Sequence, residues 1–258
     1  MVFGLCAAAQ TPEPRQLLES MAAAEKANRR GAALFVYRED IHYTEQLPGG
    51  RFRRDTRAAY EVSILEGEPY HRRIEQDGVP LNGVDAAYEE KRYREVEKFR
   101  CETALAERRK RYFAAEENRF KIDSGIVLEH HDGVLAGEET YEGRPCWVVD
   151  TAPRKGTPKP KRRSQWSLSQ KLRYWIDKET RFPVRAVATQ LFDFDSSRKG
   201  TVTEVVSTQL DGVWLLRRIR SEGKRKADGQ MVVYRTEQQY SKYRHFTTTT
   251  NLLFEPLE

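Results

Sequence analysis

Tight-turn signals punctuate the chain. Asp-Gly occurs at 77–78, 211–212 and 228–229, and Pro48-Gly49-Gly50, Gly67-Glu68-Pro69 and Glu142-Gly143-Arg144 mark further reversals. A two-residue Asp-Gly loop joins antiparallel strands because both residues tolerate positive φ and their twist matches the flanking strands. Between the turns, apolar and polar residues alternate. Tyr60, Val62 and Ile64 fall on one face of a strand, Glu61 and Ser63 on the other. Such strands pack on one side and are wetted on the other.

About ten or eleven strands are predicted, at 33–46 with a polar kink, 59–65, 70–76, 126–129, 135–141, 146–150, 172–177, 182–194, 201–210, 213–221 and 231–243. Strands do not alternate with helices, which argues against a parallel α/β fold. Consecutive hairpins predict a mainly β (α+β) fold, with one large curved antiparallel sheet in a half-barrel and helices on its concave side.

Two segments read as helical. From Pro14 to Arg30, Leu17, Leu18, Met21 and Ala24 recur at helical spacing, Arg29 and Arg30 suit the C-terminal end, and Gly31 stops the helix. From 84 to 121 a helical insertion is expected, as one long helix or two. Between Asp85 and Lys121, 20 of 37 residues are charged, so its apolar seam is thin.

The net charge is +6, and the six positive charges between Arg154 and Arg163 equal it. The remainder of the chain is therefore balanced, and its basicity alone is no argument for nucleic acid. The 27 aromatic residues argue against a disordered chain. No run of roughly 18 apolar residues is present to form a membrane-spanning helix.

Residues 1–10 contain a short apolar run and Ala7-Ala8-Ala9, which read as the remnant of an export signal whose start lies upstream. Residues 11–258 read as one domain, in a periplasmic or otherwise exported protein. Removal of the leader would leave Cys101 and Cys146, which an oxidising compartment would allow to pair; two buried thiols are the alternative.

No nucleophile elbow, phosphate-binding loop, zinc-helix motif or dinucleotide fingerprint is present, so no catalytic residue is assigned and the chain is not read as an enzyme. No metal site or cofactor is assigned either. In His130-His131-Asp132, adjacent residues on a strand would face opposite ways, and Asp132-Gly133 reads as a solvated turn. The loop at 153–164 carries Arg154, Lys155, Lys159, Lys161, Arg162 and Arg163, held extended by Pro153, Pro158 and Pro160. These side chains are candidates for contact with an anionic membrane surface; a solvated loop is the alternative. Trp147, Trp175 and Trp214 lie in separate strands. With Val184 and Phe192 they are the candidates for an apolar ligand cavity, or else for an ordinary core.

Two stretches carry a resemblance. Gly137-Glu138-Glu139 leads through Gly143-Arg144 to Cys146-Trp147, and Trp175-Ile176-Asp177 leads to Pro183 and Arg185. Together they resemble the outer-membrane lipoprotein-sorting and lipoprotein-carrier (LolA/LolB-like) superfamily. That resemblance implies a half-open barrel with helices over an apolar cavity for acyl chains. No binding residue of that family maps onto this chain. The expected function is non-enzymatic binding or carriage of lipid acyl chains, as in lipoprotein sorting, by a monomer. The alternatives are an envelope structural or protein-interaction module with a filled concave face, and a nucleic-acid binder acting through the basic loop.

Overall fold

The computed structural model describes residues 12–104, 106–108, 110–111, 124–195 and 197–246; the expected export remnant lies outside them. Eleven strands follow one another as β1 (Phe35–Gln46), β2 (Phe52–Leu65), β3 (Glu68–Gln76), β4 (Val79–Pro80), β5 (His131–Tyr141), β6 (Arg144–Pro153), β7 (Gln170–Asp177), β8 (Pro183–Gln190), β9 (Val202–Leu210), β10 (Val213–Ala227) and β11 (Gln230–His245). They form one antiparallel sheet in the order β4-β3-β2-β1-β11-β10-β9-β8-β7-β6-β5, not closed into a barrel. Every neighbouring pair is consecutive in sequence except β1–β11, which joins two meanders into one sheet. Glu66-Gly67, Asp77-Gly78, Glu142-Gly143, Asp211-Gly212 and Asp228-Gly229 all have positive φ at both residues, as type I′ loops demand.

Among the described residues the sheet is accompanied by α1 (Pro14–Ala32), α2 (Gly83–Glu102) and α3 (Ile126–His130), with a short 3-10 helix at Arg163–Ser169. Pro14 opens α1, where a missing N–H costs nothing. Its stripe of Leu17, Leu18 and Met21 packs on Val149 of β6 and Ile176 of β7. Burying each such side chain stabilises the fold by about 1.5–3 kcal/mol. At its far end the Asn28 amide accepts from the Trp214 backbone N–H at 2.8 Å and donates to the Trp214 carbonyl, so α1 spans from β5 to β10.

The charged insertion begins as expected, with α2. This helix buries only Glu89 and runs along β3, held by polar bonds. Arg100 donates to the carbonyls of Leu65, Glu68 and Pro69, and Glu89 accepts from Tyr70 and Arg92. Arginine-to-carbonyl bonds replace the apolar stripe that α2 lacks. The segment at 112–123 lies outside the described residues. Residues 126–129 are helical rather than a strand. Their apolar run is buried through Val127, which sits with Leu172 and Ala188, and a short apolar run does not distinguish the two states.

Register carries one face across the whole sheet. Leu135, Val149, Tyr174, Ala186, Val205, Ile219, Gln238, Ile41 and Ala58 pair in a single row. Directly opposite residues share a face, so this is the face α1 covers. The adjacent row, on the other face, runs Asp150, Arg173, Val187, Glu204, Arg220, Glu237, His42 and Arg57. It is charged almost throughout, with ion pairs at 2.6 Å (Asp150–Arg173) and 2.9 Å (Arg220–Glu237).

The join between the two meanders is pinned on α1's face by Glu45 of β1, which is fully buried. Its carboxylate accepts from Tyr43, from Arg53 at the start of β2 and from Arg225 of β10; Arg53 also bonds Asp228 in the β10–β11 turn. Burial alone would push the Glu45 carboxyl up, but the bonds from Tyr43, Arg225 and Arg53 hold it at about 2. Removing one member of a buried ion pair leaves the remaining charges unpaired. Glu45→Gln is expected to destabilise the fold by about 3 kcal/mol. Urea unfolding measures this; a loss below about 0.5 kcal/mol would show that the clamp contributes little.

Candidate functional site

The aromatic candidates do not share one face of the sheet. Trp147 pairs with Ile176 and lies on α1's face, where Arg181 stacks over its ring at 4.2 Å. Trp175 pairs with Val148 and lies on the opposite face. There Trp175, Val184 and Trp214 pack with Cys146 and Val148 as a filled cluster, all under 7 % exposed. Phe192 sits in the loop after β8 beneath the Lys159 ammonium, 5.8 Å from its ring centre. Strand alternation separates Trp147 from Trp175, and only the β6–β7 register shows it.

The motif residues brace this cluster. The Glu139 carboxylate accepts from Trp175 Nε1 at 2.7 Å. Arg185 stacks over the Trp175 ring at 4.2 Å and pairs with Glu204 at 2.7 Å. Arg144 reaches Asp177, donates to Gln209 and lies over Trp214, which stacks in parallel on Phe182. Asp177 also accepts from the backbone N–H of Glu179 and Thr180, which shapes the β7–β8 turn. Burial pushes its carboxyl up, but the bonds from Thr180 and Arg144 outweigh this and leave it lowered. Gly137 lies at a register shift in β5 with φ 141°. These residues lock strands together, and only a small concavity of about 230 Å³ opens beside Arg144, Val184, Gln209 and Trp214.

The basic loop is partly committed to structure. Arg154 pairs with Asp132 and donates to the carbonyls of Glu129 and His131. Lys155, Lys159, Lys161 and Arg162 are exposed, and the side chain of Arg163 lies outside the described residues. Pro160 is buried, so the loop is anchored at its middle. Cys101 and Cys146 do not pair, and both are free thiols. Cys101 is on α2 beside β3, and Cys146 is on β6, eight positions away in the sheet order. That is about 38 Å along the sheet, against a disulfide reach of about 7 Å. Among the described residues no cluster of potential ligands could hold a metal ion.

Two surfaces remain, one on each face. On α1's face, β1, β2 and β11 carry seven aromatic rings: Phe35, Tyr37 and Tyr43, then Tyr60, then Tyr234, Tyr240 and Tyr243. Phe35 meets Tyr243 at 6.3 Å, and Tyr37 meets Tyr243 at 5.2 Å and Tyr240 at 5.8 Å between ring centres. Burial pushes the Tyr240 and Tyr243 hydroxyls well above the usual range. Among the described residues, α1 contacts chiefly β5 and β10, and α2 contacts β3. The opposite face holds a trough of about 960 Å³ across β1, β11, β10 and β9. Its walls combine charged side chains with Phe52, Val202 and Val233. Sequence reading missed both surfaces. Their signal lay in the alternation of Phe35-x-Tyr37 and of Arg220-x-Glu222-x-Lys224, which shows its meaning only once the register is known.

No family model matches the chain, and no curated protein matches it. Among solved structures it is similar to a DUF1329 family protein from Desulfovibrio piger, at 14 % identity over 95 % of this chain and 98 % of that one, with a TM-score of 0.37. It is also similar to a LolA superfamily protein from Nitrosomonas europaea, at 11 % identity over 91 % and 94 %, with a TM-score of 0.35. A third is an outer membrane lipoprotein-sorting protein domain from Vibrio parahaemolyticus, at 11 % identity over 88 % and 92 %, with a TM-score of 0.38. The family that the strand motifs resemble is thus among its structural neighbours. At these identities and TM-scores the likeness carries no ligand over to this chain.

His130 ends α3, and His131, read as part of a solvated stretch, is instead a buried core residue at the start of β5. Its ring bonds the Thr151 hydroxyl and the Ser167 carbonyl, both at 3.1 Å. Burial pushes its pKa down to about 4, so the ring is neutral in the folded protein at pH 7. The unfolded chain takes up this proton near its ordinary value of about 6.5. The contribution is therefore complete above about pH 6.5 and is lost as pH falls towards about 4, by roughly 3 kcal/mol at most. Unfolding midpoints are expected to drop across that window, and His131→Gln is expected to flatten the drop. An unchanged pH profile in the variant would assign the loss to other groups.

Proposed function

We propose that the protein is a non-enzymatic binder or carrier of lipid acyl chains in an exported compartment. The observation that carries this reading is the aromatic row on β1, β2 and β11. It continues the face that α1 covers elsewhere, and no described helix packs chiefly against those three strands. Phe35 is buried and the six tyrosines are half-buried, with Phe35, Tyr37, Tyr240 and Tyr243 meeting edge-on or tilted, and such rings offer apolar area at a small entropic cost. An acyl chain laid on them gains about 0.8 kcal/mol for each methylene it buries. The resemblance of the strand motifs to those of lipoprotein carriers agrees with this reading. The exposed lysines of the 153–164 loop would add attraction to an anionic leaflet, by about 1 kcal/mol per charge close to the surface.

The filled core beneath α1 favours a second reading, a protein-interaction module. Native mass spectrometry of the protein purified from its own envelope separates the two. Bound lipid is expected in the wild type, with at least a tenfold loss of occupancy in Tyr37→Ser/Tyr240→Ser, since each ring supplies about 1.5–3 kcal/mol of burial. A wild-type protein without lipid that also takes none from vesicles would overturn the carrier reading.

A further inference from the structure

The trough on the charged face has an uneven electrostatic balance. Three carboxylates line it, and each is already neutralised by arginine. Glu237 pairs with Arg220 at 2.9 Å, Glu222 with Arg235 at 2.8 Å, and Glu204 with both Arg185 and Arg218. Lys199 and Lys224 also line the trough, and among the described residues neither ammonium group has an ion-pair partner. Two positive charges are therefore left over at one end.

The segments that carry the two lysines approach each other closely. Lys224 follows Gly223 on β10, and Lys199 lies two residues before Thr201. A Cβ on Gly223 would stand 2.3 Å from the Thr201 hydroxyl and 2.9 Å from its Cβ, so only glycine lets the 199–201 loop close onto β10. Phe52 is 52 % exposed and, with Val202 and Val233, gives the same trough an apolar wall. The volume of about 960 Å³ is at the upper end of sites that hold small molecules.

We propose that this trough binds a phosphate group, with Lys199 and Lys224 as its charge partners and Phe52 against the organic part of the ligand. A phosphomonoester carries a charge of about −1.5 to −2 at pH 7, which matches two uncompensated ammonium groups. Lysine serves phosphate well as a compact point charge with three donors. The site lies on the face opposite the aromatic row and stands independently of the acyl-chain reading.

The test uses two probes with the same head chemistry. One is sn-glycerol 3-phosphate in solution, titrated calorimetrically. The other is phosphatidylcholine vesicles with and without phosphatidic acid, followed by sedimentation. Both are applied to the wild type, to Lys199→Gln/Lys224→Gln and to Lys155→Gln/Lys161→Gln, the last removing two exposed charges from the basic loop. Binding of glycerol 3-phosphate that weakens about tenfold or more only in the trough variant supports the proposal with a soluble ligand. The same dependence seen only with phosphatidic acid vesicles supports it with a lipid headgroup. Failure of both probes, or equal weakening in the trough and loop variants, overturns it. Lipid still bound to the purified protein in that last case would leave the acyl-chain reading standing.

Discussion

The pairing of β1 with β11 is the constraint on which the rest depends. Every other strand contact is a hairpin that two neighbouring segments can make for themselves. Without the β1–β11 ladder the chain would be two separate meanders, each with an unpaired edge of 12 or 16 residues. Edges of that length invite association with other chains. The buried Glu45, held by Arg53 and Arg225, places a charge-assisted clamp where the two halves meet. A buried carboxylate is tolerable only with such partners, so the clamp favours this register over a slipped one.

Once the sheet is continuous, alternation divides its chemistry. One face collects Leu135, Val149, Tyr174, Val205 and Ile41, and α1 fills part of it. The other collects a row of acids and arginines that satisfy one another across strands. The low hydrophobic content is a consequence of this division. A sheet with one wetted face needs only half of its strand residues to be apolar, and α2 is held by arginine bonds to backbone carbonyls. Both candidate surfaces follow as well. The aromatic row is the part of the apolar face beyond the main reach of α1, and the trough is the part of the charged face where the lysines outnumber their partners.

The residues that carry the family resemblance act as braces. Arg144, Asp177, Glu139, Trp175 and Arg185 connect β5 through β9 by hydrogen bonds, ion pairs and ring stacking. Such a motif reports on architecture because it stabilises strand order. That is why the motif led to the right kind of sheet, with Trp175 buried in a cluster on one face and Trp147 half-buried on the other.

The fold class was legible in the sequence for a local reason. Asp211-Gly212 and Asp228-Gly229 strongly favour the positive φ of a two-residue hairpin turn, whereas Asp132-Gly133, read as a turn, lies inside β5; alternation between the true turns leaves little but antiparallel hairpins. The Leu17-Leu18-Met21 stripe and the charged run from Asp85 were local signals too. What the tertiary structure alone decided was register and long-range pairing. A shift of one residue would place Trp147 and Trp175 on the same face, and no local signal forbids it. Burial of His131, the separation of Cys101 from Cys146, the engagement of Arg154 with Asp132 and the placing of Lys199 and Lys224 along one trough all depend on segments far apart in sequence. A sequence determines which turns can form between neighbours. Which strands then lie side by side is settled by how all the faces are buried together.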